Sequence, residues 1–244
     1  MGGRFWYVFL SVALVAAGLA AGVATWLEWL PCQGSMLNGS VLVGGQYLND
    51  FSDACLARMD GSDALPLAPG VLWARGLSAL LLAVGWLGFA SRLRLTPVQR
   101  LVVLLPVVSV GWYAVATWLA PALGNRSLWD VTGPASIATE LTAFVAFIVI
   151  DLKLGGARAR LPSLIGLWAV AAYGIMHLII DYLVMAATSD ANWDAPPGTG
   201  YLTAAMMVLC GVLVAVLGWR AGRAGATSVR SGDPVLAGVA TPAD

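Results

Sequence analysis

Charged side chains are scarce in this sequence. Only 11% of its 244 residues are Asp, Glu, Lys or Arg, whereas 59% are hydrophobic and the mean hydropathy is +0.82. A soluble domain of this size carries about 25% charged residues. Because too few polar side chains remain to cover a water-facing surface, the composition excludes an ordinary soluble globular protein.

An excess of one sign of charge is also lacking. Thirteen basic residues balance thirteen acidic ones, and the pI is near 6.5. A nucleic-acid-binding domain usually has a basic patch and a high pI. The sequence therefore predicts no nucleic-acid partner.

Residues for metal, haem or redox chemistry are few. The chain has one histidine, His177, and three cysteines. One histidine excludes haem ligation by a histidine pair, and the sequence has no phosphate-binding glycine loop, serine nucleophile elbow or H-E-x-x-H zinc motif. His177 with two carboxylates is a chemically reasonable ligand set, but Arg75, predicted beside them, would repel a cation. We therefore expect no cofactor and no metal.

Long apolar runs, by contrast, are abundant. A helix needs roughly 20 apolar residues to cross a bilayer, where no water satisfies the backbone. Six stretches meet this length: Phe5–Leu27, Pro69–Ala90, Leu101–Ala120, Gly133–Leu152, Pro162–Ala187 and Gly200–Trp219. They predict an all-α integral membrane protein, a bundle of six transmembrane helices within residues 1–222. The first run also resembles a secretory signal, but its length exceeds the roughly 7–15 residues of a signal core and favours an uncleaved span.

The basic residues indicate the orientation. With a cytoplasmic N-terminus, ten of the thirteen cations lie in cytoplasmic segments: Arg4, Arg92, Arg94, Arg100, Lys153, Arg158, Arg160, Arg220, Arg223 and Arg230. The other side carries mainly acids, Glu28 among them. We expect both termini to be cytoplasmic, with a disordered tail over 223–244 that is rich in Gly, Ala, Ser and Pro. Arg in place of Lys, with much Ala, Gly and Val, is typical of a GC-rich bacterial genome. We therefore expect the protein to lie in a bacterial cell membrane.

Two cysteines fall in the long external loop, about 28–68. Cys32 and Cys55 would lie in the oxidising compartment, which favours a disulfide. A bridge closing about 24 residues stabilises the loop by roughly 3 kcal/mol on the chain-entropy model. A catalytic thiol pair is the alternative, but the loop has no C-x-x-C motif. Cys210, within the sixth stretch, is predicted to be a small buried apolar residue.

Four ionisable residues lie inside the predicted spans, where charges are costly and usually functional. From the helix rise, Arg75, Glu140 and Asp181 lie about 9–12 Å below the external surface and His177 about 16 Å below it. Three helices therefore carry these groups at similar depth, and we expect them to converge. Tyr113 is predicted to lie at a comparable depth.

The fifth stretch carries a repeated polar spacing. Tyr173, His177 and Asp181 follow each other at i, i+4 and i+8 and would share one face of a continuous helix. Asp181 would then accept a hydrogen bond from His177 and raise its basicity. In an enzyme, His177, Asp181 and Glu140 would be the acid–base groups, and Arg75, Tyr113 and Tyr173 would bind substrate. The alternative is structural, with Arg75 pairing with Glu140 or Asp181 to hold the helices in register.

Three functions are compatible with this pattern. The first is a site in the outer half of the membrane that binds or processes a small amphipathic or lipid-like molecule. The second is a small proton-coupled transporter, which is disfavoured because the cytoplasmic halves of the spans are almost entirely apolar. The third is a non-catalytic accessory or assembly subunit. Besides the lipid bilayer, the candidate partners are therefore a lipid-like ligand and another membrane protein.

Overall fold

The structure is a computed structural model that describes residues 2–32, 41–43, 46–48, 52–59, 69–123, 128–154, 157–188 and 198–230. Its helices are α1 (Gly2–Glu28), α2 (Asp53–Met59), α3 (Pro69–Ala90), α4 (Pro97–Leu119), α5 (Leu128–Lys153), α6 (Ala157–Val170), α7 (Ile175–Thr188) and α8 (Tyr201–Arg230). Two short strands, β1 (Val41–Val43) and β2 (Gln46–Leu48), pair antiparallel in the long loop. The molecule is therefore helical, as predicted, with one small β-ribbon.

Five helices are long and apolar enough to span a membrane, or six spans if α6 and α7 count as one bent span. Large apolar side chains face outward on these helices; Val108, Leu141 and Phe144 are each more than 60% exposed. Because a soluble monomer rarely exposes so much contiguous apolar surface, this exterior fits a multi-pass membrane protein.

Consecutive long helices are antiparallel neighbours. Gly70 of α3 lies beside Leu27, near the end of α1, whereas Gly85 lies beside Ala13. The Trp86 indole of α3 donates to the Val103 carbonyl of α4 (2.8 Å). Thr96 caps α4: its hydroxyl accepts from the Gln99 amide (3.4 Å), and the Gln99 side chain accepts from the Thr96 amide (3.1 Å). This reciprocal arrangement is a capping box, which the short-range pattern of Thr96 followed three residues later by Gln99 encodes.

The last helix returns along the first. Gly200, at the start of α8, lies against Thr25 near the end of α1, and Gly218 lies against Tyr7 near its beginning. We call the end of the bundle that carries Glu28, Pro69, Leu128 and Gly200 the loop end. The opposite end carries Ala90, Lys153 and the Arg160–Asp151 ion pair.

The fifth predicted span is not one helix. A 3-10 turn (Ala171–Tyr173) and Gly174, whose backbone is extended, separate α6 from α7, and the two helices meet at 77°. Gly174 permits this break because it has no Cβ that would clash with the Glu140 side chain and the Ala171 carbonyl. The bent pair still runs from one end of the bundle to the other. Arg160 of α6 pairs with Asp151 at the opposite end, and Asp181 of α7 accepts a hydrogen bond from Gly200 at the loop end.

The other predicted boundaries are close to those observed, with one difference at the C-terminus. Helix α8 continues to Arg230, whereas the sequence predicted a disordered tail from residue 223. Three alanines and two arginines in Ala221–Arg230 favour helix and two glycines oppose it, so the extension depends on a helix already begun in the bundle. Residues 231–244 lie outside the described residues.

The disulfide between Cys32 and Cys55 is confirmed, with Cα atoms 4.9 Å apart. Both cysteines are fully buried and pack with Trp29 and Met59. Ser52 reinforces this packing, because its hydroxyl donates to the Pro31 carbonyl (3.1 Å) and accepts from the Cys55 amide (3.2 Å) at the start of α2. The bridge therefore fixes α2 against the loop end of α1. Parts of the predicted external loop, residues 33–40 and 60–68, lie outside the described residues.

Breaking the disulfide should destabilise the loop. We expect Cys55→Ser to lower the free energy of unfolding by about 3 kcal/mol, because the reduced chain regains the loop-closure entropy. The measurement is thermal unfolding in detergent, with maleimide labelling to report free thiols. Cys210→Ser is the matched control, since Cys210 is a buried free cysteine. Equal melting temperatures for the two variants would contradict the prediction.

Candidate functional site

A cavity of about 230 Å³ opens inside the loop end of the bundle. Helices α1, α3, α4 and α5, the α6–α7 break, α7 and the start of α8 all contribute to its wall. Its principal polar lining residues are Thr25, Arg75, Tyr113, Ser136, Tyr173 and Asp181. Apolar side chains fill the gaps between them: Ala21, Leu128, Ala172, Leu178 and Met207. The cavity is therefore amphipathic, with polar groups converging from several helices.

Arg75 forms an ion pair with Glu28 at the end of α1. Glu28 also lies 3.8 Å from the guanidinium of Arg58 in α2. The sequence predicted that Arg75 would pair with Glu140 or Asp181 if its role were structural, and this is wrong. The reason is that α1 and α3 are packed neighbours at the loop end. Glu28, and not an acid of α5 or α7, therefore lies next to Arg75.

Asp181 caps the beginning of α8 from another helix. Its Oδ2 accepts hydrogen bonds from the backbone amides of Gly200 (3.0 Å) and Thr203 (3.1 Å), and the side chain is only 2% exposed. Gly200 has φ +110°, a conformation that favours glycine, and a Cβ there would come 2.6 Å from the Thr25 hydroxyl. Because helix N-termini carry unsatisfied amides and partial positive charge, this carboxylate is well placed.

Glu140 has the same role at the break in the fifth span. Its Oε2 accepts from the Met176 amide (3.2 Å) in the first turn of α7. A Cβ on Gly174 would overlap that oxygen and approach the Ala171 carbonyl at 2.9 Å. Gly174 lines the cavity, whereas Glu140 is not one of its lining residues. The carboxylate therefore satisfies a backbone donor that would otherwise be exposed to the membrane interior.

His177 is buried and makes no hydrogen bond in the described part of the chain. Both ring nitrogens lack a partner, as does Oδ1 of Asp181, and the ring packs against Trp168 with centroids 4.3 Å apart. The predicted hydrogen bond between His177 and Asp181 is not formed, because Asp181 turns to α8. Tyr173 does not share their helix either, since the break at Gly174 separates it from α7.

The two tyrosines expected at this depth come together. The rings of Tyr113 and Tyr173 stack with centroids 4.5 Å apart. The Tyr173 hydroxyl donates to the Arg75 backbone carbonyl (3.4 Å). Trp129, at the start of α5, also lines the cavity. Three aromatic side chains therefore line the cavity, and two of them stack on each other.

The structure thus divides the predicted site residues into two groups. Arg75, Tyr113, Tyr173 and Asp181 line the cavity, whereas Glu140 and His177 are not among its lining residues. The sequence analysis missed Glu28 as a site residue, because it assigned Glu28 to the external loop. It also missed Gly174 and Gly200, the glycines that allow Glu140 and Asp181 to cap α7 and α8. The Gly198-Thr199-Gly200 segment before α8 was a readable signal for a tight turn. Within the described ranges, no three His, Cys, Asp or Glu side chains cluster as metal ligands would.

The close approach at Gly174 is testable. We expect Gly174→Ala to cost about 1–3 kcal/mol of stability, because overpacking displaces either Glu140 or the backbone. Gly111→Ala is the matched control, since no atom lies within 4 Å of a Cβ there and alanine favours helix. The melting temperatures in detergent measure both effects. The argument fails if Gly174→Ala melts at or above the temperature of Gly111→Ala.

No protein-family model, curated protein sequence or solved structure matches this chain.

Proposed function

We propose that this chain is a six-span membrane protein, with both termini cytoplasmic, whose cavity binds the head group of an amphipathic molecule from the outer leaflet of a bacterial cell membrane. The topology is supported by the path of the chain. Helices α1 and α8 are antiparallel, and the bent α6–α7 pair connects opposite ends of the bundle, as one span must. The excess of basic residues beside the opposite end supports the cytoplasmic assignment of that end.

The topology is tested by fusions at the C-terminus. A green fluorescent protein fused after Asp244 should fluoresce in a bacterial host, because this protein matures in the cytoplasm. Alkaline phosphatase fused at the same point should be inactive, because it needs the oxidising side of the membrane. An active phosphatase with a dark fluorescent fusion would contradict the even number of spans or the orientation.

The observation that supports binding is the cavity itself. It combines hydroxyl groups, a carboxylate and a guanidinium with apolar walls, the composition expected of a ligand site. Its volume of about 230 Å³ lies below the roughly 300–1,000 Å³ of sites for drug-sized ligands. The cavity therefore suits a head group, while the apolar remainder of the ligand stays in the bilayer.

Binding is favoured over catalysis by the roles of the carboxylates. Glu140 accepts a backbone hydrogen bond of α7, and Asp181 accepts two at α8. A general acid or base must reach the proton it transfers, and neither Glu140 nor His177 lines the cavity. The acid–base roles proposed for these residues therefore have less support than a recognition role for Asp181, Arg75, Tyr113 and Tyr173.

Filling the cavity tests the proposal. Ser136 lines the cavity and is buried, so Ser136→Phe should occupy much of its volume and displace a head group. Ile137, the next residue on α5, is 45% exposed on the outside, so Ile137→Phe is the matched control. Native mass spectrometry after gentle extraction from the membrane should find a retained amphiphile on the wild type and on Ile137→Phe, at several-fold lower occupancy on Ser136→Phe.

Two results would be decisive against binding in this cavity. One is equal retention by both phenylalanine variants. The other is the absence of any retained amphiphile on the wild-type protein, together with no stabilisation by added lipid extract. Melting temperatures of the variants establish that both are folded before the occupancies are compared.

A further inference from the structure

We infer that three arginines at the end of the bundle opposite the cavity bind the phosphate of an anionic phospholipid. Arg92 and Arg94 lie in the turn between α3 and α4, and Arg100 lies in the first turn of α4. We call these three residues the arginine cluster. The cluster lies at the other end of the molecule, so this inference does not depend on the proposed function of the cavity.

An alternating sequence holds the turn in place. In the segment 92–95, Leu93 and Leu95 are buried in the main hydrophobic core, whereas Arg92 and Arg94 are exposed. The Leu95 amide donates to the Leu93 carbonyl (2.9 Å), and Nη2 of Arg100 donates to the same carbonyl at the long distance of 3.5 Å. Because Leu93 lies between Arg92 and Arg94, this contact brings the third guanidinium to the turn that carries the other two.

An aromatic ring restrains Arg92. Its guanidinium carbon lies 4.7 Å from the centroid of the Trp6 ring, near the start of α1. A cation–π contact orders the side chain but does not neutralise its charge. A guanidinium carries five N–H donors in a planar fork that matches a phosphate, and a side chain that is already ordered loses less freedom when it binds one.

The charges around the cluster leave a positive excess. Helices α4 and α5 are antiparallel and meet at the Ser109 and Thr142 hydroxyls (2.9 Å), which places the last turn of α5 beside the first turn of α4. That turn of α5 carries Asp151, which pairs with Arg160 of α6, and Lys153, which adds a further positive charge. Among the residues that the structure describes, Asp151 is the only acid at this end of the bundle, and no arginine of the cluster forms an ion pair.

Exposed apolar side chains next to the cluster indicate that the anion is a lipid. Val98 and Leu101, on either side of Arg100 in the sequence, are 73% and 66% exposed, and Phe5, beside Trp6, is 61% exposed. The guanidinium groups therefore lie where the apolar exterior of the bundle ends, which is the level of the phospholipid phosphates. A phospholipid contacts the arginines with its phosphate and the apolar side chains with its acyl chains, whereas inorganic phosphate gains only the first contact.

The net charge of the head group follows from the same excess. Basic clusters beside membrane helices attract anionic lipids. A zwitterionic head group carries an ammonium ion, which these arginines would repel. An anionic phospholipid such as phosphatidylglycerol is therefore favoured over phosphatidylcholine.

The experiment measures lipid binding to the full-length protein by native mass spectrometry in a neutral maltoside detergent. Phosphatidylglycerol and phosphatidylcholine with identical acyl chains are titrated separately. We expect phosphatidylglycerol to bind at least about five-fold more tightly, since one basic residue near an anionic lipid contributes about that factor. Inorganic phosphate at the same concentration as the lipid should not displace phosphatidylglycerol, because it has no acyl chains.

Single substitutions test which cations cause the preference. Arg92→Gln, Arg94→Gln and Arg100→Gln should each weaken phosphatidylglycerol binding about five-fold and leave phosphatidylcholine binding unchanged. Arg220→Gln is the matched control, because Arg220 is an exposed cation at the same end of the bundle but on α8, which packs mainly against α1. It should change the affinity by less than about two-fold in about 0.15 M salt, which screens exposed charges over about 8 Å. Melting temperatures establish that all four variants are folded.

Four results would each overturn the inference. Equal affinity of the wild type for the two lipids removes the preference for an anionic head group. Unchanged phosphatidylglycerol binding in all three cluster variants removes the arginines. An effect of Arg220→Gln as large as that of the cluster variants shows diffuse attraction to a positive end instead of a site. Displacement by inorganic phosphate shows a site for a free anion. None of these results concerns the cavity, so each leaves the proposed function standing.

Discussion

The constraint on which this structure depends is that helix N-termini inside an apolar bundle must find hydrogen-bond acceptors within the protein. Water, which completes helix ends in soluble proteins, is scarce at this depth. Here α7 begins at the break in the fifth span and α8 begins beside the cavity, and a carboxylate from another helix accepts from the first turn of each. Glu140 of α5 binds the first turn of α7, and Asp181 of α7 binds the first turn of α8. These three hydrogen bonds, one to Glu140 and two to Asp181, tie α5, α7 and α8 into one arrangement.

This constraint changes the meaning of charged residues within spans. An isolated carboxylate at membrane depth is often functional, but Glu140 has a sufficient structural explanation. Asp181 has one through Oδ2, and the residue also lines the cavity. The same residue therefore holds a helix in place and contributes to the cavity wall.

The disulfide-linked segment contributes to the site through Glu28. Glu28 is the last residue of α1 and interacts with both Arg75 and Arg58. It therefore connects α2, which carries Arg58, to the Arg75 guanidinium at the cavity. The buried Cys32–Cys55 bridge holds α2 against this end of α1. Trp29 adds a second connection, since its indole donates to the Thr199 carbonyl before α8 (3.0 Å). The described residues of this segment, Trp29, Cys32 and α2, thus help to hold the parts of the bundle that line the cavity.

The sequence by itself determined the membrane class, the approximate limits of the apolar helices, the Thr96 cap and the Cys32–Cys55 pairing. These follow from composition, run length and short-range spacing, which act within one segment or depend on one compartment. Tertiary structure alone decided the break at Gly174, the pairing of Arg75 with Glu28, and the turning of Asp181 away from His177. Each depends on which helices are neighbours, and hydropathy does not encode that choice because every span is almost equally apolar.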